Sequence, residues 1–229
     1  MKLVLATLAV AAASFAAGVD RADATSECRG FQTCVPVAGP WVAVPVARGV
    51  PRPQVQWQLT CPRGFIVGGV DAELTDRAID VWFFGASGSP VAPGRTTSRT
   101  IVFVATYVGS GAAAPTFRPH AGCVPASGGG SRTPTSFTGV VPPGKPTVRR
   151  VRTVQITATR TISVGCRGDE HLVAAYSARG FRTAKPPTPQ LVSSLSARVR
   201  VMRDRVVVSA GGGGGAGVVQ VSAVCAGGR

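Results

Sequence analysis

Six cysteines, two histidines and one acidic cluster are the residues of this chain whose types invite chemistry. The cysteines are Cys28, Cys34, Cys61, Cys123, Cys166 and Cys225. No two stand in a CxxC pair, so the usual zinc and dithiol redox signatures are missing. His120 lies three residues before Cys123, and the two could share a metal only if that cysteine stays reduced. His171 follows Asp169-Glu170 and reads as a hydrogen-bonded surface histidine. Neither comes with a recognisable nucleophile: Gly85-Ala-Ser-Gly-Ser89 has serine where the hydrolase elbow needs its second glycine. Asp71, Glu73, Asp76 and Asp80 form the acidic cluster. Calcium needs six to eight oxygens, the spacing fits no EF-hand loop, and Arg77 sits among them as an ion-pair partner, so a solvated turn is expected. Gly211–Gly215 lacks the Gly-Lys-Ser/Thr that ends a phosphate loop and reads as a loop tip. The expectation is no catalytic site, no metal and no cofactor.

The first residues decide how the cysteines are used. Lys2, the apolar run Leu3 to Ala17 and the small-x-small element Ala22-Asp23-Ala24 read as a signal peptide over 1–24, with Thr25 as the first mature residue. Fifteen apolar residues fall short of the ~20 that a spanning helix requires, and no later segment is longer, so no integral membrane protein is expected. An exported chain with an even number of cysteines is expected to oxidise them. The spacing suggests Cys28–Cys34, Cys61–Cys123 and Cys166–Cys225, one choice among fifteen.

The formal charge is +15, from 25 Lys and Arg against 10 Asp and Glu. Arginine supplies nearly all of it, asparagine is absent, and Ala, Gly, Pro and Val abound, a bias that GC-rich codons produce without selection for binding. The basic residues are scattered, so no specific nucleic-acid site is expected. Attraction to acidic surfaces still follows from the charge. Arg149, Arg150 and Arg152 precede one strand pattern, Arg160 interrupts it, and Arg198, Arg200, Arg203 and Arg205 surround a later hairpin. If those strands pair, Arg150, Arg152, Arg198, Arg200, Arg203 and Arg205 make one anion-binding patch.

The elements that would position these residues are strands, because apolar residues recur with period two. In Gln54–Cys61, Val55, Trp57, Leu59 and Cys61 alternate with Gln54, Gln56, Gln58 and Thr60. Thr153–Cys166 repeats this at greater length, with Thr157, Thr159 and Thr161 on the wet side, a face that could also recognise carbohydrate or ice. Val219, Val221, Ala223 and Cys225 alternate with Gln220, Ser222 and Val224. Further strands are expected over 65–70, 77–84, 101–108, 172–176, 195–201 and 205–210. Trp82 and Phe84 lie opposite Ile79, Val81 and Phe83, and are either a stacking site or covered by a neighbour.

The chain also reads as a duplication. Ile66-Val-Gly-Gly-Val-Asp-Ala72 resembles Leu172-Val-Ala-Ala-Tyr-Ser-Ala178, each shortly after a cysteine, and the cysteine pairs have similar spans. The expected order is an extended segment over 25–53 with the Cys28–Cys34 loop, a β unit over 54–126, a Gly/Ser/Pro linker over 127–147 and a second β unit over 148–229. The fold class is all-β, with two tandem sandwich-like units. The segment spaced by Pro40, Pro45, Pro51 and Pro53 reads as too proline-rich for a central strand.

Cys28-Arg-Gly-Phe-Gln-Thr-Cys34, Cys61-Pro-Arg-Gly-Phe-Ile-Val-Gly-Gly69 and Val221-Ser-Ala-Val-Cys-Ala226 resemble elements of secreted cysteine-rich proteins of high-GC Gram-positive bacteria. That resemblance implies a secreted β fold and no particular activity. The cysteine spans are also similar to those of immunoglobulin domains, without the Asp-x-Gly-x-Tyr-x-Cys element. The expected function is therefore a secreted, non-enzymatic binding or structural role at the cell envelope. The expected partner is an anionic wall polymer or another extracellular protein. A secreted hydrolase and an inhibitor using the Cys28–Cys34 loop are the alternatives.

Overall fold

The structure, a computed structural model, describes residues 25–47, 51–85, 99–111, 114–126 and 147–227. Residues 1–24, expected as a signal peptide, and residues 127–146 of the expected linker lie outside the described residues. In chain order the strands are β1 (Val35–Ala38), β2 (Trp41–Ala43), β3 (Gln54–Thr60), β4 (Phe65–Leu74), β5 (Ile79–Phe84), β6 (Thr100–Tyr107) and β7 (Thr116–Pro125). Then come β8 (Thr147–Gln155), β9 (Arg160–Gly165), β10 (Glu170–Phe181), the helix α1 (Pro189–Ser194), β11 (Ser196–Val201), β12 (Arg205–Gly211) and β13 (Gly217–Gly227). The fold is all-β apart from that one helical turn and a half, which Thr188 caps by accepting from the Leu191 N–H.

Three antiparallel sheets form. One small sheet runs β3-β6-β5 and another β11-β12-β9. In the large sheet β7 carries β4 on one edge and β1 then β2 on the other, and β2 continues to β10, β13 and β8. The small sheets pack on opposite faces of the large one. Strand β2 makes this visible: Val42 and Val44 belong to a core with Val55, Trp57, Phe103 and Phe117, whereas Trp41 and Ala43 belong to a core with Ile162, Val208, Val219 and Val221.

The strand order is the same in the two halves of the chain. β3-β6-β5 corresponds to β9-β12-β11, and the β4–β7 pair to β10–β13. Both long pairs carry a bulge at the corresponding place, between Val67 and Gly69 and between Leu172 and Ala174. The disulfides Cys61–Cys123 and Cys166–Cys225, with Cα–Cα distances of 5.7 and 5.6 Å, each tie the end of the first small-sheet strand to the large sheet. Cys28–Cys34 closes the N-terminal loop, and no described cysteine is free.

Three expectations need correction. The proline-spaced segment does supply a central strand, β2, lying between β7 and β10. It can do so because Trp41-Val-Ala43 is the proline-free stretch between Pro40 and Pro45, so every ladder N–H is present where it is needed. The long alternation over 153–166 is two strands in different sheets, broken at 156–159. The chain crosses from β8 to the facing sheet without changing phase, so Val154, Ile156, Ile162 and Val164 still point into one core. Finally, the polar side of β3 is not wet: Gln56 is 7% exposed and Gln58 meets Gln220 of β13. Gln220 is only 6% exposed, because the edge of β3 lies against it. Its side-chain oxygen accepts from the Gln58 N–H at 2.7 Å, and its amide nitrogen donates to the Gln58 carbonyl at 3.1 Å and to Thr153 Oγ1 at 3.0 Å. One side-chain amide thus satisfies the main chain of an edge strand, as a neighbouring strand would.

Candidate functional site

The arginines do not gather as one patch. β8 pairs with β13, and β11 with β12, so the two basic segments sit in different sheets. Arg150 is held bidentately by Glu170, at 2.5 and 2.8 Å. Hydrogen bonds from Arg150, and then from the Arg167 N–H, keep the Glu170 carboxyl below its ordinary range. Arg152 is exposed on β8. Arg198 and Arg200 alternate with Ala197 and Val199 on β11, opposite Ser209 and Val207 of β12, which pair in turn with Thr161 and Ser163 of β9. Arg205 pairs with Gly165 on the same side of this sheet, opposite the core residues Val206 and Val208, and holds Asp204 at 2.7 Å. Arg203 is in the exposed turn. The outcome is a flat outer face bearing Arg198, Arg200 and Arg205 among the hydroxyls of Thr161, Ser163 and Ser209, all exposed. Of the threonine row, only Thr161 belongs to a strand.

A second constellation surrounds His120. The residue is 5% exposed. Nε2 lies 2.7 Å from Glu73 Oε1, and Nδ1 lies 3.8 Å from Glu27 Oε1. Arg118 stands 3.7 Å from Glu73. The acidic cluster therefore divides. Asp71 and Glu73 turn toward His120 and the N-terminal loop, whereas Asp76 accepts from the Ala78 N–H at 2.8 Å and the Tyr107 hydroxyl at 2.9 Å, closing the β4–β5 turn. Arg77 makes no ion pair with a described residue; Arg118 takes that role for Glu73. His171 stays exposed, opposite Ala226. Both ring nitrogens of His120 face carboxylates and the side chain is covered, so it links the N-terminal loop to β4. Glu27, which no periodicity or motif marks, was legible only as a residue next to Cys28.

The loop lies directly on the β4–β7 pair. Gly69 and Gly122 are register partners. A Cβ on either would stand 2.0 or 2.1 Å from the Glu27 carbonyl oxygen, so only glycine permits the approach. Asp71 then fixes the loop start, its Oδ2 accepting from the Ser26 N–H at 2.6 Å and the Ser26 hydroxyl at 3.0 Å. Burial pushes the Asp71 carboxyl up, but the Ser26 and Ala72 N–H groups and the Ser26 hydroxyl outweigh it and hold it below its ordinary range. We expect Gly69→Ala and Gly122→Ala each to displace the loop and cost about 2 kcal/mol, while Gly168→Ala, whose Cβ meets nothing within 4 Å, is neutral. Urea denaturation with limited proteolysis at 25–34 checks this; equal loss in all three variants would contradict it. The depressed Asp71 also sets a pH direction. Its contribution is present above the ordinary value of 3.8 and is lost as pH falls through the lower folded value.

Arg149 organises a third place. Its guanidinium is 5.3 Å from the Phe84 ring and 5.1 Å from Tyr176, and donates to Gln56 Oε1 at 2.5 Å and Ser222 Oγ at 3.2 Å. Burial pushes its pKa down. Trp82 and Phe84 remain 38% and 45% exposed. Residues 86–89 of the Gly85–Ser89 stretch lie outside the described residues. Glu170 lies beside Cys166 and Cys225, but those sulfurs are bonded to each other and the carboxylate is committed to Arg150. Among the described residues no helix is long and apolar enough to cross a membrane. Compared with family models, with curated proteins and with solved structures, the chain matches none of them.

Proposed function

We propose that this is a secreted, non-enzymatic protein of two copies of one β unit, and that it binds an anionic polymer of the cell envelope. The observation that carries the binding reading is the outer face of the β11-β12-β9 sheet. Arg198, Arg200 and Arg205 project there into solvent, and among the described residues only Arg205 of the three is paired, to a neighbour in its own turn. Residues two apart on a strand stand roughly 7 Å from each other and adjacent strands roughly 5 Å apart, so the cations and hydroxyls form a flat grid rather than a pocket. Such a grid suits a chain of repeated anionic groups and has no converging donors for one small ligand. The shared strand order, the matching bulges and the equivalent disulfides support the two-copy reading. Three disulfides fit an oxidising compartment. The covered position of His120 argues against the hydrolase alternative.

Binding of this kind is weak and screened over about 8 Å at physiological ionic strength. Purified mature protein should bind inorganic polyphosphate at low salt and release most of it near physiological salt. Replacing Arg198, Arg200 and Arg205 by Gln should weaken low-salt binding by about tenfold or more through lost counterion release. Replacing Arg150 and Arg152 should change it little. Unaltered binding in the first variant, or a loss confined to the second, would show that this face is not the site.

A further inference from the structure

The acidic pocket under the N-terminal loop carries more negative charge than the described groups around it balance. Glu27, Asp71 and Glu73 face His120 and Arg118, with Arg118 reaching only Glu73. Glu27 is 4% exposed, and its Oε2 has no hydrogen-bond partner. A buried carboxylate oxygen left unpaired has given up its hydration with nothing in return. A cation belongs beside it.

We propose that this cation is the mature N-terminus itself: the pocket of Glu27 and Asp71 receives the α-ammonium of Thr25. The Ser26 nitrogen is 2.6 Å from Asp71 Oδ2. Successive backbone nitrogens are separated by three bonds of about 1.3–1.5 Å and so lie at most ~3.7 Å apart. The Thr25 nitrogen is therefore within ~6.3 Å of that oxygen, about the outer edge of the range over which opposite charges shift each other's pKa. Within an uncleaved chain that nitrogen is a neutral peptide group. Hydrolysis by a signal peptidase breaks the Ala24–Thr25 bond; water supplies the hydroxyl to the Ala24 carbonyl and a proton to the Thr25 nitrogen. The new amine takes one further proton from solvent at neutral pH. Processing thus creates the charge that the pocket lacks and tightens the hold of the Cys28–Cys34 loop on Gly69 and Gly122. The inference rests on cleavage after Ala24, not on the polymer-binding reading.

The test uses secreted, processed protein. N-terminal sequencing should give Thr-Ser-Glu-Cys; another mature start overturns the proposal, whatever the protein binds. With ¹⁵N-threonine, the Thr25 amine should titrate above the ordinary range of about 7.7–8.0. It should return toward that range in Asp71→Asn and Glu27→Gln. The sign follows from linkage: a raised amine stabilises the latch below its unfolded value, and the gain is lost as pH rises through the folded value. Protection of the 26–34 amides, measured against the intrinsic base-catalysed exchange rate at each pH, should therefore fall above about pH 8 in the processed protein. Chemically N-acetylated protein should show the lower protection at neutral pH already and lack that step. This comparison leaves every carboxylate of the pocket intact, the other acetylated amines being those of Lys145 and Lys185 outside the loop, and holds even if the Asp71 variant fails to fold. An amine titrating in its ordinary range, or equal loop protection before and after acetylation, would overturn the latch.

Discussion

Replacing Cys166 and Cys225 together by alanine is expected to lower stability by about 4 kcal/mol, and replacing Cys61 and Cys123 by a similar amount. The bridged residues are 59 and 62 positions apart, and closing loops of that length removes about 4 kcal/mol of denatured-chain entropy on the polymer argument. Packing changes little beside this, because two alanines fill part of the space that the sulfur pair occupies. The position of the bridges adds a second effect. Each ties a three-stranded sheet to the face of the large sheet, so the freed sheet is held by its core alone. Against a total of ~5–15 kcal/mol for such a protein, the loss is a large fraction. Cys28 and Cys34, six apart, should cost only about 2 kcal/mol. Urea midpoints for the three double variants give the ranking directly. If the short bridge matters as much as either long one, the entropy account is wrong for this chain.

Trp41→Ala is expected to cost about 3 kcal/mol and to destabilise both halves at once. Trp41 is 3% exposed in the second core, where truncating a large aromatic typically costs 3–5 kcal/mol. The lower end applies because the buried indole N–H has no partner, so its removal also relieves an unpaired donor. The reach of the effect follows from strand β2. The next residue, Val42, is fully buried in the first core and pairs with both Phe117 and Gly180. Loosening β2 on one face therefore loosens it on the other. Trp57, 2% exposed in the first core, remains in this variant as a reporter of the first half, together with Trp82 on β5 of the same small sheet. Their fluorescence midpoint in urea should fall together with the far-ultraviolet dichroism midpoint of the whole chain. A fluorescence transition left at its wild-type position would mean that the halves unfold independently.

Alternation and cysteine phase carried much of the fold. The runs at 54–60 and 217–227 are strands because β-branched and aromatic residues recur with period two. Cys61 and Cys225 share the buried phase with Trp57 and Val221, so a bridge to the facing sheet needs no change of register. The similar stretches after Cys61 and Cys166 likewise fall on corresponding strands, β4 and β10. Period two, however, records only which side of a strand is apolar, not what lies beside or above it. Val42 pairs with residues 75 and 138 positions away in sequence, and nothing local in a proline-spaced segment announces those partners. Gln220 reads as a wet residue until the edge of β3 is laid against it. Arg150 and Arg198 read as neighbours until β8 pairs with β13 instead of β11. His120 looks isolated until Glu27 and Glu73 arrive from the residue just ahead of a disulfide-closed loop and from an adjacent strand. Local sequence determined the elements, their buried phase and the cysteine spacing. Long-range strand pairing and the stacking of a third layer decided which polar groups meet, because those pairings join residues that share no local signal.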